Sequence, residues 1–366
     1  MKNYNIIKNL FFIVALLCVV SLSGVNVNAV NGATGIAVNT PVTGSVSQTT
    51  KSNWYSFSTD TRGYFTISFK STDVTKNTKC YVKLYNSDRD LMFNTGSVNS
   101  CESNKVSCKN GEIFYIEVAV DWTYYGDYEL CVNQIADAKW EIESNDTTSK
   151  ATPLNAKTQL TGTICNSSQT KDVDVYKIVL KKNSRINVVF GPKDVTRVGE
   201  LVAHLVNSSG EEVYIANNSK IINKKTFDLK KGTYYIRVKS GWDGGYVPYT
   251  VKYTTSKLST AKKPTIKSAS ISANWLGGRY LKEIQLKKNV KKVNTYEVKV
   301  STKKSMKKPI LTTTAEAAKT ITKFSTTALS NQKNFYIQIR PCVVDAFGKK
   351  IYIGKKSNVV KAKIIR

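Results

Sequence analysis

The chain has 366 residues and a formal net charge of +29. That is too long for one hydrophobic core and enough for two or three domains. Serine, threonine, tyrosine and valine abound, proline is scarce, and long stretches of helical period are missing, so the composition excludes an α-helical bundle and points to β structure.

Residues 1–29 read as a secretory signal peptide. Lys2 and Lys8 flank a short polar start, Leu10 to Val20 is almost wholly apolar, and small and polar residues follow to Ala29. The apolar run is shorter than the roughly 20 residues a bilayer span requires. No later stretch reaches that length, so the expected location is extracellular, either secreted or loosely wall-associated, with no transmembrane segment after signal cleavage.

Three modules follow, at 30–136, 137–256 and 257–366. Charge is divided unevenly among them. Residues 30–136 carry 9 basic and 10 acidic side chains, and 137–256 carry 18 and 12. Residues 257–366 carry 26 and 4, a net of +22. Such asymmetry points to an anionic partner. For an exported protein that is an anionic cell-wall polymer, an acidic polysaccharide or a lipid headgroup, and not nucleic acid. The plainer alternative is that the lysines keep strand edges soluble and unpaired.

The first two modules are copies of each other. Gly44, Asn53-Trp54-Tyr55 and Tyr64 to Phe69 correspond to Gly162, Asp174-Val175-Tyr176 and Arg185 to Phe190. Cys80 to Leu91 corresponds to Leu201 to Val213, Tyr115 to Tyr235, and Tyr128 to Tyr249. The order is conserved at an offset of about 120 residues, which denotes tandem domains and not a solenoid of short units. Within each copy short alternating runs are separated by turn residues. In Thr233 to Lys239, Tyr234, Ile236 and Val238 fall on the core side, while Tyr235, Arg237 and Lys239 face away.

Four cysteines, Cys80, Cys101, Cys108 and Cys131, lie in the first module. Export permits disulfides there, with three connectivities open, and Cys101 and Cys108 are close enough in sequence to close a small loop. No CxxC occurs, so neither a zinc nor a redox motif is indicated.

An acidic constellation opens the second module. Glu141, Glu143, Asn145 and Asp146 fall within six residues, and Asp172 and Asp174 precede Tyr176. Alternate residues of an extended segment share a side, so Glu141, Glu143 and Asn145 converge, and so do Asp172 and Asp174. Five carboxylates this close repel one another unless a cation such as calcium, which takes six to eight oxygens, sits among them. The plainer reading is a solvated acidic linker. The first copy has Lys51 and Asn53 where the second has Asp172 and Asp174, and it lacks the acidic opening, so it is expected to bind no calcium.

Catalysis finds no support. His204 is the only histidine and lies in a strand-like run, and no Gly-x-Ser-x-Gly occurs. Trp122, Tyr124 and Tyr125 in the first copy, and Trp242 and Tyr246 in the second, mark equivalent aromatic loops suited to stacking on sugar or peptide. The alternative is that the tryptophans fold back and cap the sandwich.

The residues Glu141 to Asp146, Asp174 to Tyr176 and Leu229 to Val238 resemble the signature of bacterial pre-peptidase C-terminal domains over about 140–255. The resemblance implies a jelly-roll-like β-sandwich, similar to the collagen-binding domains of clostridial collagenases, with the acidic set as calcium ligands. The third module resembles a lysine-rich fibronectin type III domain, through Tyr296 to Ser301, Phe335 to Arg340 and Ser357-Asn358, with Trp275 as the early tryptophan; residues 312–324 are expected to form loop and strand. The expectation is therefore an all-β chain of three sandwich modules, with no enzymatic activity, that binds an extracellular polysaccharide or matrix protein. The alternative is a non-catalytic spacer or accessory protein of a secreted enzyme system.

Overall fold

The computed structural model describes residues 32–73, 78–122, 125–166, 172–192, 201–217, 223–240, 245–273, 278–324, 328–329 and 332–365. Residues 1–29, the expected signal peptide, and Trp275, Tyr124 and Trp242 lie outside these residues. The protein is all-β: strands are joined by turns, and none of the described residues forms a helix. Accordingly, no helix among them is long and apolar enough to cross a membrane.

The chain divides into two compact units, one built from residues up to 138 and the other from 139 onward. In the first unit, one sheet runs in the order Thr34–Gly35, Ser52–Ser58, Ile113–Val120, Cys80–Tyr85, Leu91–Val98. The other runs Val42–Val46, Gly126–Ala136, Gly63–Ser71, Ser100–Glu102, with Val106–Cys108 also on Gly63–Ser71. Alternating strands bury one face each. Phe57, Phe65 and Phe114 meet in the centre with ring centroids 4.9–5.5 Å apart. Truncating any one of them to alanine would cost about 3–5 kcal/mol.

The first nine strands of the second unit repeat this plan. One sheet runs Thr152–Pro153, Val173–Leu180, Gly232–Ser240, Leu201–Asn207, Glu212–Asn217, and the other Gln159–Asn166, Gly245–Lys257, Ser184–Pro192, Asn223–Leu229. The strand order matches the first copy position for position, including the short parallel strand that opens each sheet. Tyr234, Ile236 and Val238 enter the core, and Tyr235, Arg237 and Lys239 do not. The inner faces bring Tyr176, Ile178, Val188, Leu205, Ile236 and Val251 into one apolar cluster.

The rest of the second unit is a further pair of sheets. One contains Thr320–Ile321, Arg279–Leu286, Ile266–Ala273 and Lys363–Ile365, with Ala328–Leu329 on Arg279–Leu286. The other contains Leu311–Glu316, Thr295–Ser301, Tyr336–Val344 and Lys350–Tyr352, with Val360–Lys361 on Tyr336–Val344. Segment 312–324 is strand and loop. The turn Asp345–Lys349 reaches the preceding sandwich, where Phe347 stacks on Tyr234 at 5.9 Å and the Ala346 amide donates to the Asp228 carbonyl at 3.2 Å.

All six cysteines among the described residues are free thiols. Strand register explains why the neighbours Cys101 and Cys108 do not close a loop. Cys101 pairs with Phe69 and Cys108 with Gly63, both on the same strand. Six residues of strand at about 3.3 Å each hold them ~20 Å apart, and a disulfide needs Cα atoms within about 7 Å.

Candidate metal centre

The acidic segment 139–146 is laid against the second sandwich by backbone hydrogen bonds. Thr161 N donates to Lys139 O at 2.7 Å, Glu141 N to Thr161 O at 2.9 Å, and Val175 N to Asn145 O at 3.2 Å. Thr152 adds a side-chain clamp. Its hydroxyl accepts from Ile142 N at 3.0 Å and from Asn145 Nδ2 at 3.1 Å. The peptide bond between Glu143 and Ser144 is cis.

This placement carries Glu141 and Asn145 into the interior beside Asp174, all three fully buried, with Glu143 half-buried. Carboxylate oxygens of Glu141, Glu143 and Asp174 lie within 4.8 Å of one another. Oxygens on opposite sides of a calcium ion stand about 4.6–5.2 Å apart at its usual 2.3–2.6 Å bond length, so the spacing suits such an ion. Asp146 and Asp172 are not in this closest set. Asp146 is exposed and accepts from Val173 N at 3.3 Å, and Asp172 accepts from Cys165 N at 2.6 Å. Asp172 acts on Asp174 through its charge, and Asp146 acts on Asp172.

The floor of the site is a pair of tyrosines. Tyr176 donates to Glu141 Oε2 at 2.6 Å, Tyr249 donates to Asp174 Oδ2 at 2.5 Å, and the two hydroxyls stand 2.8 Å apart. Glu141 Oε1 also accepts from Thr163 N at 2.7 Å. Each phenol has one hydrogen to give. With both carboxylates ionised, two hydrogens serve three close oxygen contacts, and the contact between the tyrosines is left without one. A proton on a carboxylate or a cation beside it relieves the shortage. Gly162 makes room for this pair, because a Cβ there would come to 2.2 Å from the Tyr176 hydroxyl.

Two oxygens at the site have no hydrogen-bond partner, Asn145 Oδ1 and Asp174 Oδ1, and both are buried. An orphaned buried acceptor costs about 1–3 kcal/mol, and one on a carboxylate costs more. Electrostatics agree with the count. Burial pushes the Asp174 carboxyl well above its usual range, reinforced by Glu141, Asp172 and Glu143. Burial, with help from Glu141 and Asp146, raises Asp172 to about 8. The donor set is all oxygen and rich in carboxylate, which fits a hard divalent cation and not a soft one.

The first copy is a built-in comparison. Tyr55 and Tyr128 occupy the tyrosine positions with hydroxyls 2.8 Å apart, and Gly44 lies over them as Gly162 does. Where Asp174 would stand, Asn53 donates through Nδ2 to Tyr128 at 2.7 Å and to the Ser45 carbonyl at 2.8 Å. The same architecture is there satisfied without a carboxylate.

Among the aromatic loop residues, Trp122 is 85% exposed with φ +56° and does not fold back onto the sandwich. Tyr125 is half-buried, its carbonyl accepting from Thr78. Tyr246 lies on strand Gly245–Lys257 opposite Cys165. His204 sits in strand Leu201–Asn207, its ring 5.9 Å from that of Tyr214. Reading the sequence missed Thr152, Thr163 and the role of the tyrosine pair; the Asp-x-Tyr spacing was the only signal that pointed there.

The sequence matches no protein-family model and no curated protein. Among solved structures, the chain is similar to the pre-peptidase C-terminal domain of a collagenase from Bacillus anthracis, at 21% identity over 28% of this chain and 94% of that one, with a TM-score of 0.24. It is also similar to a β-1,2-glucanase from Parabacteroides distasonis, at 8% identity over 56% of this chain and 34% of that one, with a TM-score of 0.20. A third is the CUB1-EGF-CUB2 fragment of rat MASP-1, at 9% identity over 60% and 99%, with a TM-score of 0.20.

Proposed function

We propose that the protein is an exported, non-catalytic binding protein whose second sandwich is ordered by calcium. Glu141, Glu143 and Asp174 would hold the ion through carboxylate oxygens and Asn145 through Oδ1, with Asp146 and Asp172 as the flanking acids. The observation that carries this reading is the pair of buried, unpartnered oxygens beside three converging carboxylates. Bound calcium would offset two of the cluster's negative charges and fix the segment 139–146 that leads into the sandwich.

Binding falls to the surfaces. Trp122 presents a rigid, exposed aromatic ring, suited to an extracellular polysaccharide or a matrix protein. The lysines of the third module supply attachment to an anionic wall polymer. The packing of the only histidine in a strand against Tyr214 favours binding over catalysis. An array of glycans and matrix proteins, probed with the mature chain in calcium and in chelator, tests the reading. Binding that calcium supports and Trp122→Ala weakens is expected. A blank array in both conditions would favour the spacer role.

A further inference from the structure

The positive charge of residues 257–366 has a structured focus around Glu297. On strand Thr295–Ser301, Tyr296, Val298 and Val300 enter the core, so Glu297 and Lys299 face outward. Glu297 is nonetheless only 4% exposed, because cations and an aromatic ring cover it. Lys350 Nζ lies 3.0 Å from Oε1, Lys299 Nζ lies 3.6 Å from Oε2, and Tyr352 donates to Oε1 at 2.8 Å. Arg340 stands directly opposite Glu297 in the strand register. Its guanidinium packs 3.9 Å from the centre of the Tyr352 ring, and its Nε donates to the Gly354 carbonyl at 3.1 Å.

Two lysines thus hold one carboxylate, and a third cation, Arg340, stands beside them across the strand pair. The carboxylate holds both lysines, and the arginine is held by ring and carbonyl, so little side-chain freedom remains to be lost on binding. The surplus of positive charge stays on the outer face. It continues along the same sheet, where exposed Lys361 pairs with Tyr336, four residues or about 13 Å along the strand from Arg340. A row of cations at that spacing suits a chain of charges better than a single ion.

We propose that this face, with Lys299 and Lys350 held on Glu297 and Arg340 held beside them on Tyr352, seats a phosphate of a linear phosphodiester polymer that runs on toward Lys361. Cations approaching from a neighbouring position on one strand, from the opposite strand and from the strand beyond suit a tetrahedral oxyanion, which accepts from several sides, better than a planar carboxylate. The arginine fork supplies paired donors and the lysines point charges. The proposal rests on the reading of the third module as an attachment to anionic polymer and gives that reading an address.

The test uses residues 30–366 and a synthetic linear poly(alkylene phosphate), a phosphodiester chain, as the probe, with affinity measured from 50 to 200 mM salt. The variant combines Lys299→Gln, Arg340→Gln and Lys350→Gln with Glu297→Gln, so that no buried carboxylate is left unpaired, and its fold is checked by its melting curve. Its affinity is expected to fall about tenfold or more, and the slope of log K against log salt to fall by about 2. The control, Lys267→Gln with Lys282→Gln and Lys287→Gln, removes more net charge, from exposed lysines on or just after the strands Ile266–Ala273 and Arg279–Leu286 of the other sheet, and is expected to stay within about twofold of the parent. Equal losses in both variants would overturn the site in favour of a diffuse field while leaving polymer attachment standing. Tighter binding to polygalacturonate, or binding only to vesicles of anionic lipid, would overturn the choice of phosphodiester. No binding of the parent chain to any of the three probes would overturn the attachment reading itself.

Discussion

Asp174→Asn is expected to make the second sandwich insensitive to calcium without weakening its calcium-free form. In the parent, Asp174 Oδ1 and Asn145 Oδ1 are buried without partners, and on the proposed reading calcium supplies both. A ligand at 100 times its dissociation constant stabilises by about 2.7 kcal/mol. For a cooperative unit of this size, each kcal/mol moves Tm by about 2–4 °C, so calcium should raise the transition of the second unit by ~5–11 °C. The variant loses a buried charge and a ligand together. Its amide can donate to Tyr249 as Asn53 donates to Tyr128, which also removes the shortage of hydrogens between the tyrosines. Its calcium-free melting temperature should therefore equal or exceed that of the parent, with no calcium response. Scanning calorimetry of the mature chain, with millimolar calcium and with chelator, reads both quantities. A parent that calcium fails to shift, or a variant that keeps the full shift, would refute the reasoning.

Other expectations follow from the same geometry. Because Asp172 is raised from 3.8 to about 8 when folded and Asp174 is raised with it, bound protons stabilise the calcium-free fold at low pH. That stability should drain away as pH rises from about 4 to 8, and the calcium-induced rise in Tm should grow over the same window; melting curves in chelator and in calcium at several pH values check the sign. Asn53→Asp removes two donated hydrogen bonds in the first sandwich and should cost about 1–3 kcal/mol in denaturant unfolding, with no recovery in calcium, since no acidic opening precedes it. Trp122→Ala should leave stability within about 0.5 kcal/mol, as befits an exposed ring, while reducing retention on whichever glycan or matrix protein the array identifies. The six cysteines from Cys80 to Cys342 should all react with a thiol reagent after denaturation without reductant.

The parts of the structure that were legible in the sequence are those governed by short spacing. Alternation in Thr233 to Lys239 gave the core face of that strand, and the ordered matches between Gly44 to Val132 and Gly162 to Tyr253 anticipated two sandwiches with one strand order. Glu141, Glu143 and Asn145 were recognisable as converging side chains because alternate residues of an extended segment share a side. What was hidden depends on register between distant strands. The contact between Tyr176 and Tyr249 spans 73 residues, and that between Glu297 and Lys350 spans 53. No local pattern encodes either. The cysteines show the converse error, since Cys101 and Cys108 are near in sequence and are kept apart by their pairing along one strand.

The most direct test of the central claim is a calorimetric titration of calcium into the mature chain beside Glu141→Gln, Asp174→Asn and Asn53→Asp. Saturable binding is expected in the parent and in Asn53→Asp, and its loss in Glu141→Gln and Asp174→Asn. Absence of binding in the parent, or binding that survives both second-sandwich substitutions, would contradict it.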